Sequence, residues 1–398
     1  MNDTRLGQDY ESSGNKGFLM YVPNSVLGFR HVRDGWTVLP SSFQSLGFSS
    51  TLVCGSYDGP SLEGVHVVQT RMGIETPIER GRKGSWIRTL FEPFLAFREI
   101  VQKRPRVVLI GPVSSSLISI LPLAELLKMV CRFKKTSPPK FILKLDWSFD
   151  YSNLGVGAIS TINALVALSS RIFDVVSVET TCGFTKAGKV PFINHRKMKI
   201  VPIGYAQNSI NIVHYEAVPR DPTILCVGRI ARMKGQNVLI KAFSEIVASH
   251  PEWKLKFVGP VEDFEYLSEL KALVEELGLS GKAVFLGQVS PPSLDLLYKQ
   301  SSVFCLPSIL RESAGNVKYQ ATAFGLPVVT TSIPCRIDDE NNGWFVVEPG
   351  DAGELGTCLD KLVASETCRK AAVERAQSVL RSYLDRACEY VALIEEAT

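Results

Sequence analysis

Two short segments of the sequence combine charged or amide side chains with glycine in a way that suits phosphate binding. The first, CVGRIARMKGQ (226–236), ends an apolar run at Gly228 and then places Arg229 and Lys234 five residues apart, just before a helical pattern. Two cations beside a helix N-terminus would suit a diphosphate. The segment is neither a P-loop, because its lysine precedes the glycine, nor a G-x-G-x-x-G dinucleotide fingerprint. The plainer alternative is a pair of surface cations at a strand–helix turn.

The second segment, RESAGNVKYQATAFGLP (311–327), follows the apolar run VFCLPS. Glu312 precedes a turn of small residues. A helix is expected to begin near Gly315, where the missing side chain lets an anion approach free backbone N–H groups. Asn316 and Gln320 are four residues apart and would share one face of that helix. The plainer alternative is an ordinary strand–helix unit in which Glu312 is an exposed loop acid.

Apolar β-branched runs that alternate with helical patterns would hold both segments at strand ends. This alternation is typical of parallel βαβ units, and it restarts at TILCVG after the polar stretch HYEAVPRDP. The sequence therefore predicts an α/β protein, with two tandem Rossmann-like doubly wound domains and ligands at the carboxyl ends of the strands. The expected strands are FLMYVP, STLVCG, RVVLIG, KFILKLD, DVVSVE, MKIVPIG, TILCVG, LKFVG, KAVFLG, VFCLPS, PVVTTS and WFVVEPG.

The polar, proline-containing stretch between these two series marks a domain boundary. We expect a flexible N-terminal tail over residues 1–16 and an N-terminal domain over residues 17–212. A C-terminal domain would occupy residues 213–372. Residues 373–398 are expected to form a C-terminal helix that packs back on the N-terminal domain.

Three motifs in the second half occur in an order that resembles one known family. GR…KG follows the first strand of the second domain, LPS…E-x7-Q-AxAFGLPVV follows a later strand, and GWFVVEPGD comes last. The stretch from Thr223 to Leu362 therefore resembles the nucleotide-sugar half of GT-B glycosyltransferases, and among them the retaining, glycogen-synthase-like family 4. The first half matches only in its alternation of strands and helices. The resemblance implies the GT-B arrangement, in which two tandem Rossmann-like doubly wound domains face a cleft.

The resemblance implies that the C-terminal domain binds a nucleotide-sugar donor and assigns a role to each candidate residue. Arg229 and Lys234 would contact the donor diphosphate. Glu312 would hold hydroxyl groups of the sugar, and the amides of Gly315 and Asn316 would face the phosphates.

Gln320 is a departure from this family, in which a glutamate at that position grips the ribose of the nucleotide. A carboxylate accepts from both ribose hydroxyls, whereas an amide accepts at one end and donates at the other. Gln320 can still satisfy a diol, with a loss on the order of 1 kcal/mol.

The resemblance also implies that the N-terminal domain holds the acceptor. The loop that contains Gly28 would face the donor phosphates, as the equivalent loop does in the family. Family members often have a His-Asp pair where this chain has Leu145 and Asp146. Asp146 is therefore either a contact for acceptor or sugar or only a strand-end acid.

Basic residues are concentrated in one part of the first half. The formal net charge is +4, yet residues 80–140 hold thirteen basic and three acidic residues, a local balance of +10. An anionic partner is expected there. An amphipathic helix with a solvated basic side and attachment to an anionic membrane surface both remain open, whereas no nucleic-acid module is present. Residues 117–131 are expected to form a buried helix.

Composition places further limits on the class of protein. Apolar residues make up 45% of the chain and charged residues 21%, as in globular proteins. The nine cysteines include no CxxC pair, which argues against a zinc site and for a reducing compartment. The sequence has neither a signal-peptide core nor a run of about 18 apolar residues. We expect a cytoplasmic protein, with a peripheral position on the inner membrane face as the alternative.

The resemblance, together with the two cations of the first segment, implies a metal-independent retaining glycosyltransferase of the hexosyltransferase type. It would move a sugar from a UDP- or GDP-sugar to a glycan or lipid-linked acceptor, such as a precursor of cell-surface polysaccharide. No cofactor or metal is expected, because the sequence has no Asp-x-Asp or His cluster and two cations would stabilise the leaving diphosphate. The alternatives are a GT-B partner subunit without activity, a nucleotide-sugar epimerase or phosphorylase, and a two-lobed solute-binding protein.

Overall fold

The structure is a computed structural model that describes residues 16–27, 33, 35–70, 85–112, 116–145, 156–310, 315–333 and 335–396. The chain divides into two compact units. The first runs up to Asn208 and resumes at Ser382, and the second is Ser209–Arg381.

The described strands of the first unit form a parallel seven-stranded sheet. Its strand order is β3-β2-β1-β4-β5-β6-β7, and every neighbouring pair is parallel. The elements are β1 (Gly17–Leu27), α1 (Gly35–Ser45), β2 (Ser49–Tyr57), β3 (Val65–Gln69), α2 (Ser85–Lys103), β4 (Val107–Ile110), α3 (Leu117–Phe133), β5 (Lys140–Leu145), α4 (Val156–Ile172), β6 (Val175–Val178), α5 (Thr181–Gly188), β7 (Met198–Ile200) and, after the second unit, α13 (Tyr383–Glu396).

The second unit has a parallel six-stranded sheet of the same kind. Its order is β10-β9-β8-β11-β12-β13. The elements are β8 (Thr223–Val227), α6 (Gln236–Ile246), β9 (Lys254–Val258), α7 (Phe264–Glu276), β10 (Ala283–Phe285), α8 (Pro291–Gln300), β11 (Val303–Leu306), α9 (Asn316–Ala323), β12 (Val328–Thr331), α10 (Arg336–Asn341), β13 (Phe345–Val347), α11 (Ala352–Ala364) and α12 (Glu366–Ser378).

Both sheets confirm the predicted α/β class with two doubly wound parallel sheets. Every residue of β4, β8, β11 and β12 is buried, as expected for strands covered by helices on both faces. All twelve predicted strands are present, and β3 is an additional one. It lies at the sheet edge with its side chains half-buried or exposed, so it lacks the long apolar run that marks the others.

The helix over residues 117–131 is buried on one face only, so the expectation of a buried helix is wrong for the other face. Leu117, Ile120 and Leu121 are buried against the sheet. Met129 and Phe133 are exposed. Among the described residues, none of the helices has the length and apolar content needed to cross a membrane.

A buried charge cluster ties the C-terminal helix α13 to the sheet of the first unit. Glu179, directly after β6, accepts from Lys144 at 2.9 Å and from both terminal nitrogens of Arg386 at 3.3 Å. Arg386 is fully buried and also lies 3.4 Å from the hydroxyl of Tyr390. Burial raises the pKa of Glu179, but Lys144 and Arg386 lower it by more, so the net shift is downward.

Replacing Glu179 with glutamine is expected to destabilise the protein by about 3–5 kcal/mol at neutral pH, because two buried cations lose the carboxylate that they share. The folded-state pKa of Glu179 is lower than its unfolded value. Its stabilising contribution is therefore complete above about pH 4.3 and is lost as the pH falls through the folded-state pKa. Urea unfolding at neutral and acidic pH measures this loss. An unchanged midpoint at pH 7 would contradict the role given to the cluster.

Candidate functional site

The first segment lies against the residues that lead into the second one, at the carboxyl ends of neighbouring strands. β8 and β11 pair in the middle of the second sheet. The loops that follow them are joined where the N–H groups of Ile309 and Leu310 donate to the carbonyl of Met233, at 2.9 and 3.3 Å. A side chain on Gly235 would collide with the carbonyl oxygen of Pro307. The strand ends therefore hold both loops at one place in the unit.

Glycines make this close packing of backbone possible. Gly235 directly precedes α6 and has a φ of +65°. Residues with a side chain disfavour this left-handed backbone conformation. Gly259, directly after β9, has φ +146°, and a side chain there would collide with the carbonyl of Gly228. The motif-based reasoning identified Gly228 and missed Gly259. Gly259 ends the predicted strand LKFVG, and this position could have indicated a close backbone contact there.

The two cations of the first segment lie at the end of β8. The side chain of Arg229 is 50% exposed, and its carbonyl accepts from the amide of Gln236 at 2.8 Å. The side chain of Lys234 passes close to Gly228. Its Cδ and Cε atoms would lie 4.0 Å from a Cβ atom placed on that glycine. Lys234 thus folds back over the strand end.

Arg229 has a carboxylate partner that sequence reasoning missed. Its guanidinium forms an ion pair with Glu262, which lies in the loop after β9. The N–H of Glu262 donates to the carbonyl of Ile230 at 3.1 Å, so the backbone fixes this acid beside the cation. β9 neighbours β8, so the two acids in GPVED, directly after β9, could have indicated a carboxylate partner for Arg229. An incoming anion has to compete with Glu262 for Arg229.

Arg232, the third cation of the segment, anchors the loop to α7. Two nitrogens of its guanidinium donate to both carboxylate oxygens of Glu269 at 2.7 and 2.6 Å, and a third lies 3.3 Å from Asp263. This hydrogen bonding lowers the pKa of Glu269. Arg232 therefore holds the loop to α7.

The second segment forms the N-terminal turn of α9. Gly315 has φ +74° and is the cap residue, and Asn316 opens the helix. The first N–H groups of a helix have no partner within it and carry partial positive charge, so this turn suits an anion. Gln320 is only 6% exposed.

A buried ion pair supports this turn. The ammonium of Lys318 donates to both carboxylate oxygens of Asp339 at 2.7 Å and lies 4.8 Å from the ring centroid of Trp344. The Lys318 side chain is 0% exposed and that of Asp339 4%. Sequence reasoning missed this pair, because a lysine in the first turn of a helix is usually solvated.

Three candidate residues cannot be located in the described part of the chain. Glu312, Gly28 and Asp146 lie outside the described residues. Among the residues that are described, no group of three or more His, Cys, Asp or Glu side chains is arranged to hold a metal ion.

Comparison with known proteins shows what the second unit is similar to. Residues 210–379 match the family model described as "Glycosyl transferases group 1". A segment of 166 residues is 34% identical to D-inositol 3-phosphate glycosyltransferase of Corynebacterium jeikeium and covers 40% of this chain and 39% of that protein. A segment of 146 residues is 34% identical to the capsular polysaccharide biosynthesis glycosyltransferase CapM of Staphylococcus aureus, over 36% and 37% of the two chains. The chain thus spans less than half the length of these two relatives.

The fold of the chain is also similar to that of solved structures. The structure of Anabaena HepE in complex with UDP aligns with a TM-score of 0.68 over 96% of this chain and 100% of that chain, at 15% identity. At this identity the likeness concerns the fold alone. The family-model match confirms the resemblance of the second half to group 1 glycosyltransferases, and the structural likeness confirms the fold class that the alternation of strands and helices predicted.

Proposed function

From the group 1 glycosyl transferase domain that residues 210–379 form, we propose that the protein transfers a sugar from a nucleotide-sugar donor to an acceptor. One observation carries the proposal. The loops after β8 and β11 meet, which puts the cations of the first segment and the N-terminal turn of α9 on neighbouring strand ends of one sheet.

In the proposed reaction the bond between the sugar and the diphosphate breaks, and negative charge develops on the leaving nucleoside diphosphate. Arg229 and Lys234 are assigned to that charge, together with the first amides of α9 at Gly315 and Asn316. Fixed positive groups stabilise a transition state most when they lie where charge develops. Because these groups supply the electrostatic stabilisation, the proposed transfer is metal-independent. Retention of configuration follows the family resemblance.

The remaining candidate residues are assigned to the two ends of the donor and to the acceptor. Glu312 would hold sugar hydroxyls, and Gln320 would hold the ribose after a small movement that opens its buried side chain. Gly28 would face the phosphates, and Asp146 would contact acceptor or sugar.

The comparisons support the choice of donor and acceptor class. HepE was solved with UDP, which favours a UDP-sugar, with a GDP-sugar as the second candidate. The relative CapM is named for capsular polysaccharide biosynthesis, which favours a glycan or lipid-linked acceptor. We propose a cytoplasmic protein that acts at the inner membrane face, where the basic region over residues 80–140 would meet anionic lipid.

A thermal-shift screen against UDP-, GDP- and ADP-sugars tests the proposed donor site. The matching donor is expected to stabilise the protein by about 2.7 kcal/mol at a concentration a hundredfold above its dissociation constant. Inorganic diphosphate is the control for binding through charge alone. No shift with any nucleotide sugar would contradict the proposal.

Product analysis separates transfer from the alternatives. Release of nucleoside diphosphate, by transfer or by slow hydrolysis, supports a transferase. Donor binding without release over hours would indicate the partner subunit, for which the substitution at Gln320 is the motivating observation. A changed sugar that stays attached to the nucleotide would indicate an epimerase.

A further inference from the structure

A cavity lies at the amino ends of β8 and β11 in the second unit. Its volume is about 280 Å³. β8 is five residues long, so strand length alone separates the cavity from the loop after β8 by about 16 Å. The lining residues come from the segment before β8, the residue before β11 and the first turn of α12, and they include Tyr215, Glu216, Pro219, Arg220, Glu366 and Arg369.

Arg220 brings a positive charge into the wall of this cavity. Its Nη1 and Nη2 atoms each donate to a backbone carbonyl at 2.9 Å, those of Ser301 and Phe324. Its Nε donates to the carbonyl of Tyr215 at 3.3 Å. In the described part of the chain no carboxylate pairs with this guanidinium, and burial lowers the pKa of Arg220 to about 10. The charge is therefore fixed in place by dipoles alone.

Arg369, in the first turn of α12, is positioned by the same tyrosine. Its Nε donates to the hydroxyl of Tyr215 at 2.8 Å, and its Nη1 donates to the carbonyls of Leu362 and Val363 at the end of α11. Within the described residues, its Nη2 has no hydrogen-bond partner. Tyr215 is only 7% exposed, and its ring centroid lies 5.0 Å from the guanidinium carbon of Arg220. One buried tyrosine thus orders both guanidinium groups.

Two acidic side chains also line the cavity, but they leave these guanidinium groups unpaired. Glu216 forms an ion pair with Lys370. Glu366 is exposed and is the first residue of α12, where the partial positive charge of the helix N-terminus favours an acid. As far as the structure describes the chain, neither acid forms an ion pair with Arg220 or Arg369. The wall therefore keeps an excess of positive charge.

We propose that this cavity binds a small phosphomonoester. The oxygens of a phosphate accept pairs of N–H donors from guanidinium groups, and its double negative charge matches the excess in the wall. A volume of about 280 Å³ far exceeds the roughly 30 Å³ of one water molecule, so there is space for a group attached to the phosphate. It is smaller than the roughly 300–1,000 Å³ of sites for drug-sized ligands, so the ligand is smaller than a nucleotide sugar.

This second site is independent of the transfer reaction proposed above. The donor is assigned to the carboxyl end of β8 and the phosphomonoester to its amino end, so both ligands bind at the same time. The cavity also lies within the second unit, since all of its lining residues belong to Ser209–Arg381.

Isothermal titration calorimetry of the full chain with glycerol 3-phosphate tests the site. Because the donor site is also assigned to phosphates, the titration is made on the Arg229→Ala variant as well as on the parent protein. Saturable binding is expected in both, with a Kd below about 1 mM. Glycerol, which lacks the phosphate, should not bind. Binding that disappears in Arg229→Ala would place the ligand at the donor site and overturn the proposal, as would an absence of binding in both proteins.

A matched pair of variants at Pro219 locates the ligand. Pro219 is exposed and lines the cavity. Pro219→Glu adds a negative charge to the wall, whereas Pro219→Gln adds a side chain of the same size without charge. The glutamate variant is expected to bind glycerol 3-phosphate about tenfold more weakly than the glutamine variant, the effect of one charge on a dianion about 6 Å away in water. Equal affinities would overturn the proposal.

Glu366→Gln should change the affinity in the opposite direction. It removes the unpaired acid from the wall, so glycerol 3-phosphate should bind about threefold more tightly, in keeping with the small effect of an exposed charge. Unchanged or weaker binding would contradict a site for an anion.

Two further titrations complete the test. Inorganic phosphate should bind more weakly than glycerol 3-phosphate, and equal affinities would overturn the assignment of space to an attached group. Nucleotide-sugar binding by Pro219→Glu should equal that by Pro219→Gln. A failure of the donor site and a failure of this cavity are therefore distinguishable.

Discussion

Replacing Arg229 with alanine is expected to lower kcat/KM for sugar transfer by about 10²- to 10³-fold, the range found when one preorganised electrostatic donor is removed from a site. The cation lies at the end of β8 and is half-exposed, so few packing contacts depend on it. Its ion pair with Glu262 is a surface pair, whose contribution to stability is about 1 kcal/mol or less. The melting temperature should therefore fall by less than about 4 °C.

Steady-state kinetics with the donor found in the thermal-shift screen provides the measurement. A lower kcat shows that the cation acts mainly in the transition state. A higher KM with unchanged kcat shows that it binds the diphosphate equally in the ground state and in the transition state. Lys299→Ala is the matched control, because Lys299 is an exposed cation of the same unit on α8. Turnover of Arg229→Ala equal to that of this control would rule out the assigned role.

Glu262 provides a second check on the same cation. The carboxylate holds Arg229 by an ion pair and competes with an incoming diphosphate. Changing Glu262 to glutamine keeps the shape and removes the competing charge, so donor binding should tighten by a few-fold, in keeping with a surface pair of about 1 kcal/mol or less. Weaker donor binding in this variant would show instead that Glu262 orients Arg229 for the phosphates.

The sheets could be predicted from the sequence because strands covered on both faces need unbroken apolar runs. TILCV and VFCL are buried at every residue and were readily recognised. The edge strand β3 was missed because it is partly exposed to solvent and therefore lacks such an apolar run. In α3 the composition is as apolar as that of a core helix. Composition cannot distinguish a helix that is buried all round from one whose second apolar face is left in solvent.

The candidate site was predictable where a motif places charge next to glycine, as in the segment from Gly228 to Lys234. It was not predictable where the partner of a charge comes from another element. The pairing of Arg229 with Glu262 depends on β8 and β9 being neighbours, which only the sheet order establishes. The burial of Lys318 likewise depends on α10, which supplies Asp339.

Replacing Lys318 with methionine is expected to destabilise the protein by about 3–5 kcal/mol, because the carboxylate of Asp339 would remain buried without its cation. Both oxygens of Asp339 accept from Lys318 at 2.7 Å, and neither side chain has appreciable exposure. Changing Asp339 to asparagine should also be destabilising, because the ammonium of Lys318 would remain buried without its carboxylate. The double variant should be more stable than the sum of the two losses predicts, by about 2 kcal/mol, since it leaves no uncompensated charge.

Urea unfolding of the full-length single and double variants measures this coupling, and Trp344, which lies 4.8 Å from the Lys318 ammonium, is one of the tryptophans that report on it. Additive losses would mean that the two charges do not interact, contrary to the geometry. The pair also supports the first turn of α9, where Gly315 and Asn316 are assigned to the donor phosphates. The double variant separates the two roles. If it recovers stability but still binds nucleotide sugar more weakly than the parent protein, the ion pair positions the turn for the phosphates and does more than hold α9 in the fold.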